Sequence, residues 1–334
     1  MNNRERVLTS LQHKQPDKVP YQVDFTVKAR EKMVQWFGDR DFHQKIGCCL
    51  FGVEASPKDA WKEISPDIWQ DEFGVQWNCS VDKDIGVVCN RVVTPENVND
   101  FIMSDPEMSS RYWNFYNLKE RSSGNFIISN IGFSLFERSW TLAGMEEILV
   151  AMVADKKFVN RLLDRILEFN LKIIEKTCSY PIDAMMFGDD WGQQCGLIMG
   201  PDMWREFIKP RIKQMYSLVK SKGKFVFIHS CGKVDEIFPD LIECGVDAFN
   251  PFQPEVIDVY DAKKKFGNQL SFYGGISTQR LLPFAPTQQV KDEVNRLLDK
   301  VGKNGGYIAA PAHSIPADAK SENIAAMLEV LQNQ

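Results

Sequence analysis

The stretch FVFIHSCGKVDEIFPDLIECGVDAFNPFQ, residues 225–253, carries the signature of the fold. It opens with an apolar run that ends in His229-Ser230-Cys231-Gly232. An amphipathic segment, VDEIFPDLIECG, follows and closes on a glycine, a common helix stop. A second apolar run, VDAFNPFQ, completes the unit. Strand, helix and strand in this order predict parallel strands with the helix packed outside them.

The alternation continues on both sides. Upstream, NFIISNIG and IDAMMFGDD read as strands. Between them GMEEILVAMVADKKFVNRLLDRILEFNLKIIEKTC is helical and long enough for two helices. GPDMWREFIKPRIKQMYSLVKSKG is a helix ending in glycine. Downstream, DVYDAKKKFG and TQQVKDEVNRLLDKVG read as helices, LSFYGGIS and GGYIAAPAHSI as strands, and SENIAAMLEVLQ as a closing helix. No GxGxxG follows the first strand, so a dinucleotide-binding sheet gains no support. The expected fold is an α/β (β/α)8 TIM barrel formed by residues 1–334 as one domain.

The N-terminal part is less regular. Residues 2–12 form an amphipathic pattern with Val7, Leu8 and Leu11 on one face. QPDKVP is a turn, and YQVDFTV is a strand with imperfect alternation. From about 45 to 120 the pattern breaks down, and WQDEFGVQWNCSVDKDIGVV suggests antiparallel strands. This region, with Trp61, Trp69, Trp77 and Trp113, is expected to be an excursion from the barrel that acts as a lid.

Bulk properties narrow the functional classes. Hydrophobic residues make up 44% and charged residues 25%, as in ordinary globular proteins. A net charge of −5 argues against nucleic acid or an anionic membrane as the main partner. No apolar run is long enough to span a bilayer, and the first residues carry no signal-peptide core. The expected location is the cytoplasm. None of the eight cysteines forms a CxxC pair, so free thiols are expected.

In a TIM barrel the chemistry sits at the C-terminal ends of the strands. Those ends carry Asp189 and Asp190, then His229 and Cys231, then Asn250 and Gln253, then Gly274 and Gly275, and finally His313. Residues two apart on a strand point the same way, so His229 and Cys231 can share one ion. Zinc takes nitrogen and sulfur ligands, and His313 from a distant strand offers a third. The bland alternative is a histidine and a thiol that only pack. Of Asp189 and Asp190, adjacent on a strand, one is expected to face the mouth as a catalytic or metal-binding group. The other is expected to cap a turn or helix. Asn250, Gln253, Gly274 and Gly275 are candidate substrate-binding positions, with a tight turn as the alternative for the glycines. His13 and His43 lie in polar surroundings and receive no role.

Taken together, these motifs resemble the uroporphyrinogen decarboxylase-like superfamily, in its corrinoid-linked methyltransferase branch. NRERVLTSLQHKQPDKVP is similar to the opening of that branch, and HSCG, NPFQ, YGGIS and SENIAAMLE continue the likeness through nearly the whole chain. The decarboxylases have an arginine-rich R-Q-A-G-R-Y type of segment after the first strand. VPYQVDFTVKAR lacks that arginine pair. The zinc-dependent methyltransferases carry H-x-C and a later cysteine. His229 and Cys231 match the first part, and His313 in APAHSIP stands where the cysteine would be.

The resemblance implies Zn2+ and a methyl group moved between a small-molecule donor or acceptor and a separate corrinoid protein. The chain has no cobalamin-binding D-x-H-x-x-G motif of its own. Fewer thiolates make zinc more Lewis acidic, which suits a methoxy or quaternary-amine donor. Two rivals stand beside this reading: a metal-free lyase of the decarboxylase type, and a non-catalytic barrel that docks a corrinoid protein.

Overall fold

Seven parallel strands curl into one sheet in the computed structural model, which describes residues 1–334. In order they are Leu50–Glu54, Phe126–Ile131, Ala184–Gly188, Phe225–His229, Ala248–Phe252, Ser271–Ile276 and Tyr307–Pro311. Each strand neighbours the next in sequence, and helices connect most of them on the outside. This is the barrel connectivity that alternating apolar runs and amphipathic helices predict.

An eighth stave closes the sheet. Tyr21 bridges Ala309 in parallel. Gln22 N donates to Ala309 O at 3.0 Å, and Ala309 N donates to Pro20 O at 2.9 Å. On the other side Cys49 N donates to Tyr21 O at 2.9 Å. The expected strand YQVDFTV is thus reduced to isolated bridges at Tyr21 and Phe25. Pro20, with no N–H, cannot extend the ladder towards the N-terminus.

Side chains divide by the period of two. In Phe225–His229, Phe225 and Phe227 point into the barrel, whereas Val226 and Ile228 join the larger cluster beneath the helices. Leu50, Phe126, Ile128, Ala184, Ala248, Tyr273, Ile308 and Ala310 fill the interior with Phe227. Helix Asn3–Leu11 plugs the bottom of the barrel with Val7 and Leu11. A capping box between Asn2 and Glu5 starts this helix. Ser10 then ties it to the last strand, its Oγ donating to Tyr307 O at 2.8 Å.

The region 45–120 needs one correction. Leu50–Glu54 is a barrel strand and not part of the excursion. With Gly52 at its centre and only Leu50 and Val53 buried, it has no apolar run to mark it. The rest of the region holds an antiparallel sheet of Lys62–Ser65, Ile68–Gln70, Gln76–Asn78 and Val87–Val88. Phe73, Val75 and Trp77 anchor it to the main apolar cluster. The long helical stretch is two helices, Met145–Ala154 and Lys156–Thr177, broken at Asp155, whose side chain accepts from Phe158 N. No helix is long and apolar enough to cross a membrane.

Candidate functional site

Strand phase decides what reaches the barrel mouth. His229 is in phase with the inward Phe225 and Phe227. Asn250 is in phase with the inward Ala248, and Asp190 with Ala184 and Met186. Asp189 falls out of phase, on the side of Phe187, and is fully buried. Alternation thus brings His229 and Asn250 to one opening, with Asp190 Oδ1 3.8 Å from His229 Nε2.

There His229, Cys231 and His313 stand together, with their donor atoms all within 4.8 Å of one another. His229 Nε2 lies 3.5 Å from Cys231 Sγ. Donor atoms around a tetrahedral zinc lie roughly 3.3–3.8 Å apart, so this pair already spans one edge. The two imidazole rings meet at 69° with centroids 5.8 Å apart.

Neighbouring groups fix the pair. The His229 Nδ1–H donates to Asn250 Oδ1 at 2.6 Å. Asn250 Nδ2 donates to Tyr273 O at 3.0 Å, which sets the amide the right way round. Nε2 is therefore left as the free electron-pair donor. Cys231 N donates to Asp190 Oδ1 at 2.8 Å, and the same oxygen lies 3.8 Å from His229 Nε2. Gly232 N donates to Gln253 Oε1 at 2.7 Å. Gly232 has φ 85°, and a Cβ there would fall 2.3 Å from the backbone of Gly192, so the turn needs glycine.

The electrostatics suit a cation. Burial, with Asp190 and Glu137 nearby, pushes the Cys231 thiol far above its usual range. Burial and the neighbouring His229 lower the pKa of His313 and favour the neutral imidazole. A divalent ion would offset the negative surroundings and draw the proton from the thiol. The donor set therefore fits zinc.

The remaining expected residues have other surroundings. Asp189 accepts from the backbone N–H of Leu135, Phe136 and Glu137 at 3.2, 3.0 and 2.8 Å. It also accepts from the Trp191 indole at 2.7 Å. It caps helix Phe136–Ala143. Burial nevertheless pushes its pKa up to about 6. Gly274 is pressed against the Phe252 backbone and Gly275 against the Tyr307 hydroxyl. Asn250, His229 and His313 line the mouth cavity, whereas Asp189, Asp190, Cys231, Gln253, Gly274 and Gly275 do not.

That cavity has a volume of about 400 Å3 and contains no lysine or arginine in its wall. Gln22, Asp24, Asn130 and Ser314 line it beside His229 and His313. Asp24 was not anticipated from the sequence. It follows the short stave at Tyr21, and the strand-end rule finds it only once that stave is placed in the barrel. Glu137 was also missed. It lies half-buried beyond the strand end at Ile131, and burial next to Asp190 and Asp189 pushes its pKa up to about 9.

The model of the family described as uroporphyrinogen decarboxylase (URO-D) matches residues 74–334, most of the chain. The chain belongs to the uroporphyrinogen decarboxylase family. Within reach of it are proteins of both kinds named by the sequence motifs. A methylcobamide:CoM methyltransferase, MtaA of Methanosarcina barkeri, is 30% identical over 132 residues, 39% of this chain and 36% of that protein. The uroporphyrinogen decarboxylase of Methylococcus capsulatus is 21% identical over 214 residues, 60% of this chain and 58% of its own length. The match thus spans only about a third of the methyltransferase's length. A solved methyltransferase from Methanosarcina mazei superposes with a TM-score of 0.74 at 15% identity, covering 99% of this chain and 98% of that one. At that identity the likeness establishes the shared fold.

Proposed function

We propose that this family member is a zinc-dependent methyltransferase that moves a methyl group between a small molecule and a separate corrinoid protein. The convergence of His229, Cys231 and His313 at the barrel mouth carries this reading. The relation to MtaA supports it. Zinc held by these three side chains would supply Lewis acidity towards a substrate oxygen, nitrogen or sulfur. Asn250 aims His229, and Asp190 holds the Cys231 backbone in place. When a methyl group leaves an ether oxygen, that atom keeps the bond's electron pair and takes up a proton, whereas a quaternary ammonium leaves as a neutral amine and needs none. Asp190, partly exposed with its Oδ1 3.8 Å from His229 Nε2, is the carboxylate placed to relay a proton there. Asp189 is committed to its helix cap and supports the site by position. Metal analysis, followed by methyl transfer from a panel of methoxy and methylamine donors to a reduced corrinoid, tests the proposal. A folded protein with neither metal nor transfer would favour the docking-barrel reading.

The decarboxylase alternative fares worse on charge. A polycarboxylate needs cations to grip it, and no lysine or arginine lines the mouth cavity. No carbon dioxide release from uroporphyrinogen is expected. Turnover near the usual enzymatic range, roughly 1 s−1 or more, would reverse the choice between the two activities.

His313 gives a sharper test of the metal's role. His313→Cys is expected to keep zinc, because thiolate is also a good ligand. A second thiolate adds negative charge to the metal, so activity with an ether or amine donor should fall. His313→Ala should lose both zinc and activity. Unchanged zinc in the alanine variant, with only kcat or KM altered, would remove His313 from the ligand set.

A further inference from the structure

A second, larger recess adjoins the mouth. It has a volume of about 660 Å3 and lies between the lid segment 82–91 and helix Phe136–Ala143. Gly132 lines the mouth cavity and the next residue, Phe133, lines this cleft, so the two are neighbours. Trp77, Phe133 and Trp140 form its aromatic wall. The Trp77 and Phe133 rings are 5.3 Å apart at 52°, and Phe133 and Trp140 are 6.3 Å apart at 84°.

We propose that this cleft binds an alkylammonium group, and that the small molecule served by the metal centre is therefore a cation. The identification of the ligand as the substrate rests on the methyltransferase reading; the selectivity of the cleft does not. Aromatic faces carry negative potential and attract quaternary ammonium groups. Asp82, Glu137 and Glu147 line the cleft with them. The only cation in its wall, Arg91, is ion-paired with Glu147. Arg138 lies behind the wall, its guanidinium paired with Asp71 and held 4.2 Å from the Phe73 and 5.6 Å from the Phe133 ring centroid.

Glu137 stands at the inner end of the cleft, towards the metal site. It lies among Asp189 and Asp190 with no ion pair of its own. Burial beside Asp189 and Asp190 pushes its pKa up to about 9, and a bound ammonium would favour its ionised form. A sulfonate or carboxylate would instead lie against Asp82, Glu137 and Glu147. Neither the cleft nor the mouth offers it an unpaired lysine or arginine.

Binding calorimetry on the zinc-loaded chain tests this with three probes of similar size. Choline carries the trimethylammonium group, 3,3-dimethyl-1-butanol is its uncharged isostere, and ethanesulfonate is the anion. Choline is expected to bind about ten-fold or more tightly than the alcohol, the range of a desolvated cation–aromatic contact. Ethanesulfonate should not bind. Glu137→Gln and, separately, Trp140→Leu should each remove most of the preference for choline over the alcohol, with melting temperature and zinc content confirming folded protein. Equal binding of choline and the alcohol, or preferential binding of ethanesulfonate, would overturn the proposal. A chain that holds zinc and transfers methyl groups but shows no choline preference refutes the cationic substrate alone. A chain that prefers choline but lacks zinc and methyl transfer refutes the methyltransferase reading alone.

Discussion

Cys231→Ala and His229→Ala are each expected to cut zinc affinity more than about 100-fold, beyond what the loss of an orienting partner costs a metal site. Methyl transfer should be lost with the metal. The reasoning starts from geometry. His229 Nε2 and Cys231 Sγ are 3.5 Å apart before any ion is considered, and His229 is already aimed by Asn250. Either substitution leaves two protein ligands, too few for a stable zinc site. Zinc content of the purified variants, set beside their melting temperatures, checks this. Because the thiol must lose its proton to bind, zinc affinity of the wild type should also weaken as pH falls. Full occupancy in both alanine variants would end the zinc proposal.

Asp189→Ala is expected to be the most destabilising single change near the site, by about 3–5 kcal/mol. The carboxylate is fully buried and accepts from three backbone N–H groups and the Trp191 indole. Alanine would leave all four donors buried without an acceptor. Asp189→Asn should cost less, since one oxygen still accepts while the amide N–H groups confront donors. Urea denaturation of the three proteins measures the order wild type, asparagine, alanine. Asp190→Ala, whose carboxylate is partly exposed, should cost much less stability while reducing activity. An Asp189→Ala chain as stable as the wild type but inactive would instead give Asp189 a direct part in the reaction.

This pair of aspartates shows where sequence reading stops. MFGDDWG announces two carboxylates at a strand end, and alternation says that they diverge. Which of them faces inward depends on the phase of Ala184–Gly188 relative to the barrel axis, and that is set by packing of Ala184 and Met186 against the interior cluster. The same holds for strands. Six of the barrel strands are apolar runs that can be read directly, from Phe126–Ile131 to Tyr307–Pro311. Leu50–Glu54 and the stave at Tyr21 carry too few buried residues to stand out, and their pairing comes from neighbours already in place. Asp24 was overlooked for that reason, and Glu137 because nothing local distinguishes it from a surface glutamate.

The amino-acid sequence by itself determined the parallel α/β barrel, the end of the barrel where polar groups gather, and the pairing of His229 with Cys231. All of these follow from periodicities of two and 3.6 residues, which are local properties of strand and helix. Only the tertiary structure decided that His313 stands beside that pair, that Asn250 aims His229, and that Asp190 rather than Asp189 lies against His229 and Cys231. Those relations join residues on different strands. Their distances are set by barrel closure and strand stagger, which depend on the whole ring of hydrogen-bonded staves and not on any single segment.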